Sequence, residues 1–253
     1  MNTKALLPDD HAHKMPKHSK DLRQWICEQA DLNKMYIHDF KNPVSAISAN
    51  ISYLKSVLIN ADEDVKEAVS DMSVAANLLL FMFDNNLMIS QLENGEHYEV
   101  VAAPLDQIIA QSVKTCRDLT IINEHPIEMA VAIPDVLCEW EMKYAKLAID
   151  NMLMSSIINA PRGDTITFRV LVENELVTIT VNDNGAPINE TYLDDQLERT
   201  FQLQAKNLED ARYSRAMGMY AVKLAAKFLG GTARIENHNQ KSYFILELPQ
   251  TEQ

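Results

Sequence analysis

Between Leu22 and Leu58 apolar side chains recur in steps of four and three that alternate almost throughout: Leu22, Ile26, Ala30, Ile37, Phe40, Val44, Ile47, Ile51, Leu54 and Leu58, with Asn33 in the one polar slot. A helix puts such a stripe on one face, and a heptad repeat asks for a helical partner along it. A polar residue in such a seam fixes register. Asn60-Ala61-Asp62-Glu63-Asp64 is a short polar turn, and its acids suit the start of a following helix. A second helical pattern runs from Glu63 to Leu92 through Val65, Val69, Met72, Ala76, Leu79, Phe83, Leu87 and Ile89. Leu78 to Phe83 is apolar nearly all round, so this helix needs cover on more than one side. Asn94-Gly95 is its stop signal. One such αα-hairpin cannot bury these faces alone. Two can, which predicts a homodimeric four-helix bundle through residues 19–95.

The first helix carries an unusual polar string, Ile37-His38-Asp39-Phe40-Lys41-Asn42-Pro43-Val44. His38 follows the stripe position Ile37, so it flanks the seam and can meet solvent. A carboxylate beside an imidazole can hold one ring N–H and leave the other nitrogen's lone pair free to attack. Lys41 can attract an anion, and Asn42 can orient a water or a phosphoryl oxygen. Pro43 removes a backbone donor and is expected to kink or loosen the helix past the histidine.

Hydrophobic residues make up 47% of the 253-residue chain, enough for a packed core. The net charge of -13 argues against sequence-independent binding to nucleic acid and against anionic membrane surfaces. No apolar run reads as long enough to span a bilayer, and the polar N-terminus has no signal-peptide pattern, so a cytoplasmic location without membrane contact is expected. Residues 1–18 read as a loose tail. Cys27, Cys116 and Cys138 lack metal-ligand spacing and read as buried thiols.

After His97 the pattern changes. Tyr98–Ala102 reads as a strand, Pro104–Leu119 as a helix, Ile127–Ile133 as a strand and Glu139–Ile158 as a helix. Thr165–Glu173 and Glu175–Asn182 form a hairpin around Asn174. A helix follows Met217 and ends at Gly230-Gly231, and strands at Ala233–Asn237 and Ser242–Leu248 close the chain. This is an α+β arrangement: a helical hairpin (19–96) followed by a two-layer α/β sandwich with mostly antiparallel strands (97–253).

The string from His38 to Val44 resembles the phosphoacceptor box of sensor histidine kinases, H-[DE]-[LF]-[KR]-[NT]-P-[LV], at every position. Ser90-Gln91-Leu92-Glu93-Asn94-Gly95 is similar to the way that family's second dimerisation helix ends. The second half resembles, more weakly, the family's Bergerat-type ATP-binding domain. Asn151-Met152-Leu153-Met154-Ser155-Ser156 aligns with the N box, with Ser155 in place of its second amide and Ile158 in place of a basic residue. Asp183-Asn184-Gly185-Ala186-Pro187-Ile188 aligns with the G1 box, with Pro187 for its second glycine. Leu197–Phe201 looks like the F box, and Gln202–Arg215 takes the place of the ATP lid without a glycine. Ala216-Met217-Gly218 aligns with the G2 box, with Ala216 for its first glycine.

The resemblance implies His38 as phosphoacceptor, aided by Asp39, Lys41 and Asn42. It implies ATP held by Asn151, Ser155, Asp183, Gly185 and Gly218, with Mg²⁺ on Asn151. The chain has only 6 glycines, and Ser155, Ile158, Pro187 and Ala216 damage the phosphate and metal contacts. Tight Mg-ATP binding is therefore not expected, and no cofactor is certain. The expected activity is exchange of a phosphoryl group between His38 and an aspartate of a response-regulator receiver domain, as phosphotransferase or phosphatase. The receiver would dock near Ser45, Ser48 and Ser52. Two alternatives stand beside it: a soluble kinase that phosphorylates His38 from Mg-ATP, and a non-enzymatic scaffold for kinases or regulators. With no sensory domain in the chain, an upstream kinase or sensor protein is expected to supply the signal.

Overall fold

The computed structural model describes residues 19–118, 127–129, 133–161, 163–205, 207–208, 214 and 217–251, with side chains from residue 31 onward except at 117, 118 and 127–129. Expectations for the tail 1–18, for the Cys27 side chain, for Ala216 and for most of the lid fall outside these residues.

Two long helices open the chain, α1 (Ser19–Val57) and α2 (Glu63–Glu93). Pro43 lies inside α1, and the helix continues through it. Glu63 and Asp64 occupy the first turn of α2 and complement its dipole. The C-cap amide of Asn94 bonds back to the Leu92 and Ser90 carbonyls, and Gly95 takes φ 67°, a left-handed conformation that glycine adopts without steric cost. The two helices pack through Ile51, Val69 and Ala76, with Val44, Leu54 and Leu58 around them. Asn33, the polar slot of the stripe, donates to Asn86 Oδ1 at 2.9 Å, a cross-helix pair that sets register.

The remaining elements are β1 (Val100–Pro104), α3 (Leu105–Asp118), β2 (Ile127–Met129), β3 (Leu137–Glu141), α4 (Met142–Asn159), β4 (Ile166–Glu173), β5 (Leu176–Asn182), α5 (Arg199–Ala205), α6 (Gly218–Phe228), β6 (Thr232–His238) and β7 (Lys241–Pro249). Five strands form one sheet in the order β2-β4-β5-β7-β6, antiparallel except for the β2–β4 pair. Alternate residues point to the helices: Ile166, Phe168 and Val170 from β4, Val177, Ile179 and Val181 from β5, Phe244, Leu246 and Leu248 from β7. They meet α4, whose residues 144–157 are nearly all buried. Such a helix is covered all round, here by the sheet, α3, α6 and α2.

One strand differs from the expectation. Leu137-Cys138-Glu139-Trp140-Glu141 is β3, paired antiparallel with β1, rather than the first turn of a helix. The buried Cys138 and Trp140 flank the exposed Glu139, and the Trp140 indole N–H donates to the Pro249 carbonyl at 2.6 Å. Cys116 and Cys138 are buried thiols, and burial pushes the Cys138 thiol up to about 11.

Helix α2 has two packed faces. Its first half packs on α1. From Leu78 onward, the face bearing Leu78, Phe81, Met88, Ile89 and Leu92 belongs to the core of the sandwich. The expectation that no apolar run could span a bilayer is corrected here: α2 is long and apolar enough by length and composition, with mean hydropathy 1.3 over its most apolar window. Its apolarity is used for packing against α1 on one side and the sandwich on the other. Only 17% of that window is buried within the chain, which leaves apolar surface for further cover.

Candidate functional site

The first candidate region is the His38 segment. Ile37 is buried in the hairpin, and the next residue is turned outward. The His38 side chain is 75% exposed, with its Nδ1 3.3 Å from Asp39 Oδ1. With Nδ1–H donating to the carboxylate, the lone pair on Nε2 points to solvent. Lys41 is placed differently from the anion-attracting role read from sequence: its ammonium donates to Asp84 of α2 at 2.5 Å, so it ties the two helices together. Phe40 stacks on Phe83 and on Tyr36, with ring centroids 6.0 and 6.5 Å apart, bracing the same turn. Asn42 is exposed one turn beyond His38. Of the serines on the expected docking face, Ser48 donates to Asn77 Oδ1 at 3.3 Å and Ser52 to the Ser48 carbonyl at 2.9 Å.

The second region gathers Asn151 and Ser155 on one face of α4, with Gly218 opposite at the start of α6. Asn151 is 3% exposed and faces α2. Its Nδ2 donates to Asn85 Oδ1 at 2.8 Å, and Asn85 Nδ2 donates back to Asn151 Oδ1 at 2.7 Å. Asn151 Nδ2 also reaches the Leu147 carbonyl at 2.8 Å. Asn85 is fully buried. Gly218 is required by this packing, because a β-carbon there would lie 2.2 Å from Asn151 Oδ1. The preceding residue, Met217, takes φ 55°, an uncommon conformation for a side chain of its size. The Ser155 hydroxyl is buried without a hydrogen-bond partner among the described residues. The cavity beside it, walled by Leu78, Phe81, Ile158 and Ser214, measures only ≈ 10 Å³.

The rim of this contact is polar. Glu93 Oε1, at the end of α2, accepts from Arg199 at 2.8 Å and from the Tyr220 hydroxyl at 2.9 Å. Burial, reinforced by Glu93, pushes the Tyr220 phenol up to about 12. Lys223 of α6 pairs with Glu198. Next to Asn151, burial raises the Asp150 carboxyl above its usual range, while its pair with Lys146 opposes that rise.

Asp183 and Gly185 sit in the turn after β5. Asp183 is fully buried, and its Oδ1 accepts from the Gly185 N–H at 2.8 Å, closing the turn around Asn184 (φ 56°). An open groove of ≈ 520 Å³ lies next to this turn, lined by Ala186–Glu190 and by Asn237, Asn239 and Gln240. None of Asn151, Ser155, Asp183 or Gly218 lines it. The structure thus brings Asn151, Ser155 and Gly218 together, with Gly218 pressed against Asn151 and α2 packed over the Asn151 side chain. Asn151 is the residue that would hold Mg²⁺; its Nδ2 donates to Asn85 and Leu147, and its Oδ1 already accepts from Asn85. The ≈ 10 Å³ cavity beside Asn151 and Ser155 is too small for a triphosphate, so among the described residues Mg-ATP does not fit against Asn151 while α2 is packed there. The residue that sequence reading missed is Asn85. Its signal was an amide within an otherwise apolar face spaced Leu78, Phe81, Asn85, Met88, Leu92.

Comparison with known proteins agrees with this architecture. Residues 143–252 match the family described as histidine kinase-, DNA gyrase B- and HSP90-like ATPase. The histidine protein kinase SaeS of Staphylococcus epidermidis is 20% identical over 217 residues, covering 83% of this chain and 60% of that protein. SaeS of Staphylococcus aureus is 23% identical over 184 residues, covering 70% of this chain and 51% of that protein. The chain therefore spans a little over half the length of these relatives. Among solved structures, full-length ShkA in complex with AMPPNP superposes with a TM-score of 0.59 at 15% identity, over 87% of this chain and 45% of that one. The Acinetobacter baumannii histidine kinase AdeS superposes with a TM-score of 0.52 at 14% identity, over 84% and 98%. Residues 143–252 belong to the histidine kinase-, DNA gyrase B- and HSP90-like ATPase family, and the chain as a whole is similar to two-component histidine kinases.

Proposed function

We propose that this chain carries a phosphoryl group on His38 and exchanges it with an aspartate of a response-regulator receiver domain. The observation that carries the reading is the exposed His38–Asp39 pair on a braced helix, beside a nucleotide region closed by α2. In the transfer, the Nε2 lone pair of neutral His38 attacks the phosphorus of an aspartyl phosphate. The N–P bond forms as the P–O bond to the carboxylate breaks, and the carboxylate leaves with the electron pair. Asp39 holds the Nδ1 proton and stabilises the positive charge that develops on the ring. In the hydrolytic direction, Asp39 and Asn42 would position a water against the receiver's phosphoryl group.

Both roles would be exercised in a homodimer formed through residues 19–95. Phe40 and Ile47 of α1, and Val65, Met72 and Leu79 of α2, remain 41–56% exposed. Their heptad spacing continues the stripe that a second hairpin would cover. A cytoplasmic setting, an upstream kinase or sensor as phosphoryl source, and division at about residue 96 into a dimerisation unit and an ATPase-type unit belong to the same proposal.

The alternative is an autokinase that uses Mg-ATP, supported by the retained Asp183, Gly185 and Gly218. One experiment separates the two: the chain is incubated with Mg²⁺ and γ-labelled ATP, and separately with a phosphorylated receiver domain. Label gained only from the receiver, and lost in His38→Ala, is the expected result. Label on His38 from ATP alone would replace the proposal with the autokinase.

A further inference from the structure

The sandwich-facing side of α2 has a regular spacing, Leu78, Phe81, Asn85, Met88 and Leu92, with steps of three and four. Its single polar slot is the residue that meets Asn151. In a helical seam a polar residue of this kind permits one register, since any slip sets an apolar side chain against the partner amide and leaves a buried carboxamide unsatisfied. The Asn85–Asn151 pair satisfies one donor and one acceptor on each side at full burial. Gly218 is pressed against the same pair, and Glu93 latches the end of α2 to Arg199 and Tyr220. The connection from α2 into the sandwich, Asn94–Glu99, is short. The seam therefore faces its partner at the high effective concentration of a tethered ligand.

We propose that this face of α2 is a built-in competitor for the nucleotide position, with the Asn85 carboxamide standing where a metal–triphosphate would engage Asn151. A nucleoside triphosphate with Mg²⁺ and the docked helix exclude one another. Any intrinsic affinity for nucleotide is reduced by the fraction of molecules in which α2 has withdrawn. The Ser155 hydroxyl, without a partner among the described residues, and the small void at Leu78 and Phe81 lie where the exchange would begin. The ATPase-type domain then serves, in its docked state, as a brace that holds the His38 hairpin.

The test uses the full chain and a fluorescent ATP analogue with Mg²⁺. Asn85→Ala and, separately, Phe81→Ala are compared with the unmodified protein, after circular dichroism has established that each is folded. The expected result is a gain in affinity of roughly tenfold or more in both variants, the scale of one buried hydrogen-bonded contact. In the unmodified chain, saturating analogue should speed amide exchange across residues 78–92. Equal binding in all three proteins, including none in any, overturns the proposal, as does bound analogue with α2 protection unchanged. The exchange measurement needs no substitution, so it decides even where a variant fails to fold. Receiver-dependent labelling that survives His38→Ala would sink the phosphotransfer reading and leave this result untouched.

Discussion

The His38 segment and the Asn151 segment both lie on long helices, yet they are built on opposite plans. His38, Asp39, Lys41 and Asn42 span five consecutive residues, and one helix turned to solvent is enough to present them. Asn151, Ser155, Asp183 and Gly218 come from α4, the turn after β5 and the start of α6, and they are useful only if the space between them stays open. In this chain α2 covers the Asn151 and Ser155 end of that space. A local string survives changes elsewhere in the molecule, whereas a site made of separated pieces is lost when one neighbour grows into it.

The largest test of this contrast is His38→Ala, which should abolish labelling from a phosphorylated receiver. Asp183→Asn should leave that labelling unchanged, and an equal loss in both would erase the distinction between the regions. Next in size is Leu92→Ala. Leu92 is 7% exposed, in the core shared by α2 and the sandwich, and its truncation should cost about 2–5 kcal/mol in denaturant unfolding. A loss below ~1 kcal/mol would mean that α2 is only loosely docked. Asn151→Leu should cost about 1–3 kcal/mol by leaving the buried Asn85 amide without its partner. Asn85→Leu combined with it should recover most of that, which chemical denaturation of the single and double variants would reveal.

How much of this was legible before the fold was known follows the same division. The hairpin could be read because its stripe, its acidic start and its Asn-Gly stop are local signals. The β4–β5 turn at Asn174 was equally plain, and Asn174 and Glu175 both take positive φ. Strand β3 was missed because Leu137–Glu141 runs without a break into the apolar pattern of α4, and only its pairing with β1 separates them. The need for cover on more than one side of Leu78–Phe83 was visible. That the sandwich supplies part of it was not, because Asn85 and Asn151 are 66 residues apart and no periodicity links them. The pairing of Lys41 with Asp84 was hidden for the same reason, since the two are distant in sequence.

The smallest predicted effect concerns acid. Arg234 pairs with Glu236 on its own strand and with Glu247 across the β6–β7 hairpin, and holds both carboxyls below their usual range, chiefly through side-chain hydrogen bonds. A carboxyl lowered in the folded state stabilises the fold above its unfolded pKa of about 4.3, and that contribution is lost as pH falls through the folded value. Both acids are partly exposed, so solvent screening limits the effect to under about 1 kcal/mol. Melting temperature against pH should fall less steeply below about pH 4.3 in Arg234→Ala than in the unmodified protein. Parallel curves would show that the pairs contribute nothing.

The double use of α2 has a mechanical consequence. Val69 and Ala76 pack with the hairpin, while Ile89 and Leu92 pack with the sandwich. One continuous rod therefore runs through both halves without a flexible joint inside it. Strain applied at either end is carried along the rod, and melting should be a single cooperative event in which neither half outlasts the other. A fragment beginning after residue 96 would lack part of its own core and should melt earlier than the intact chain.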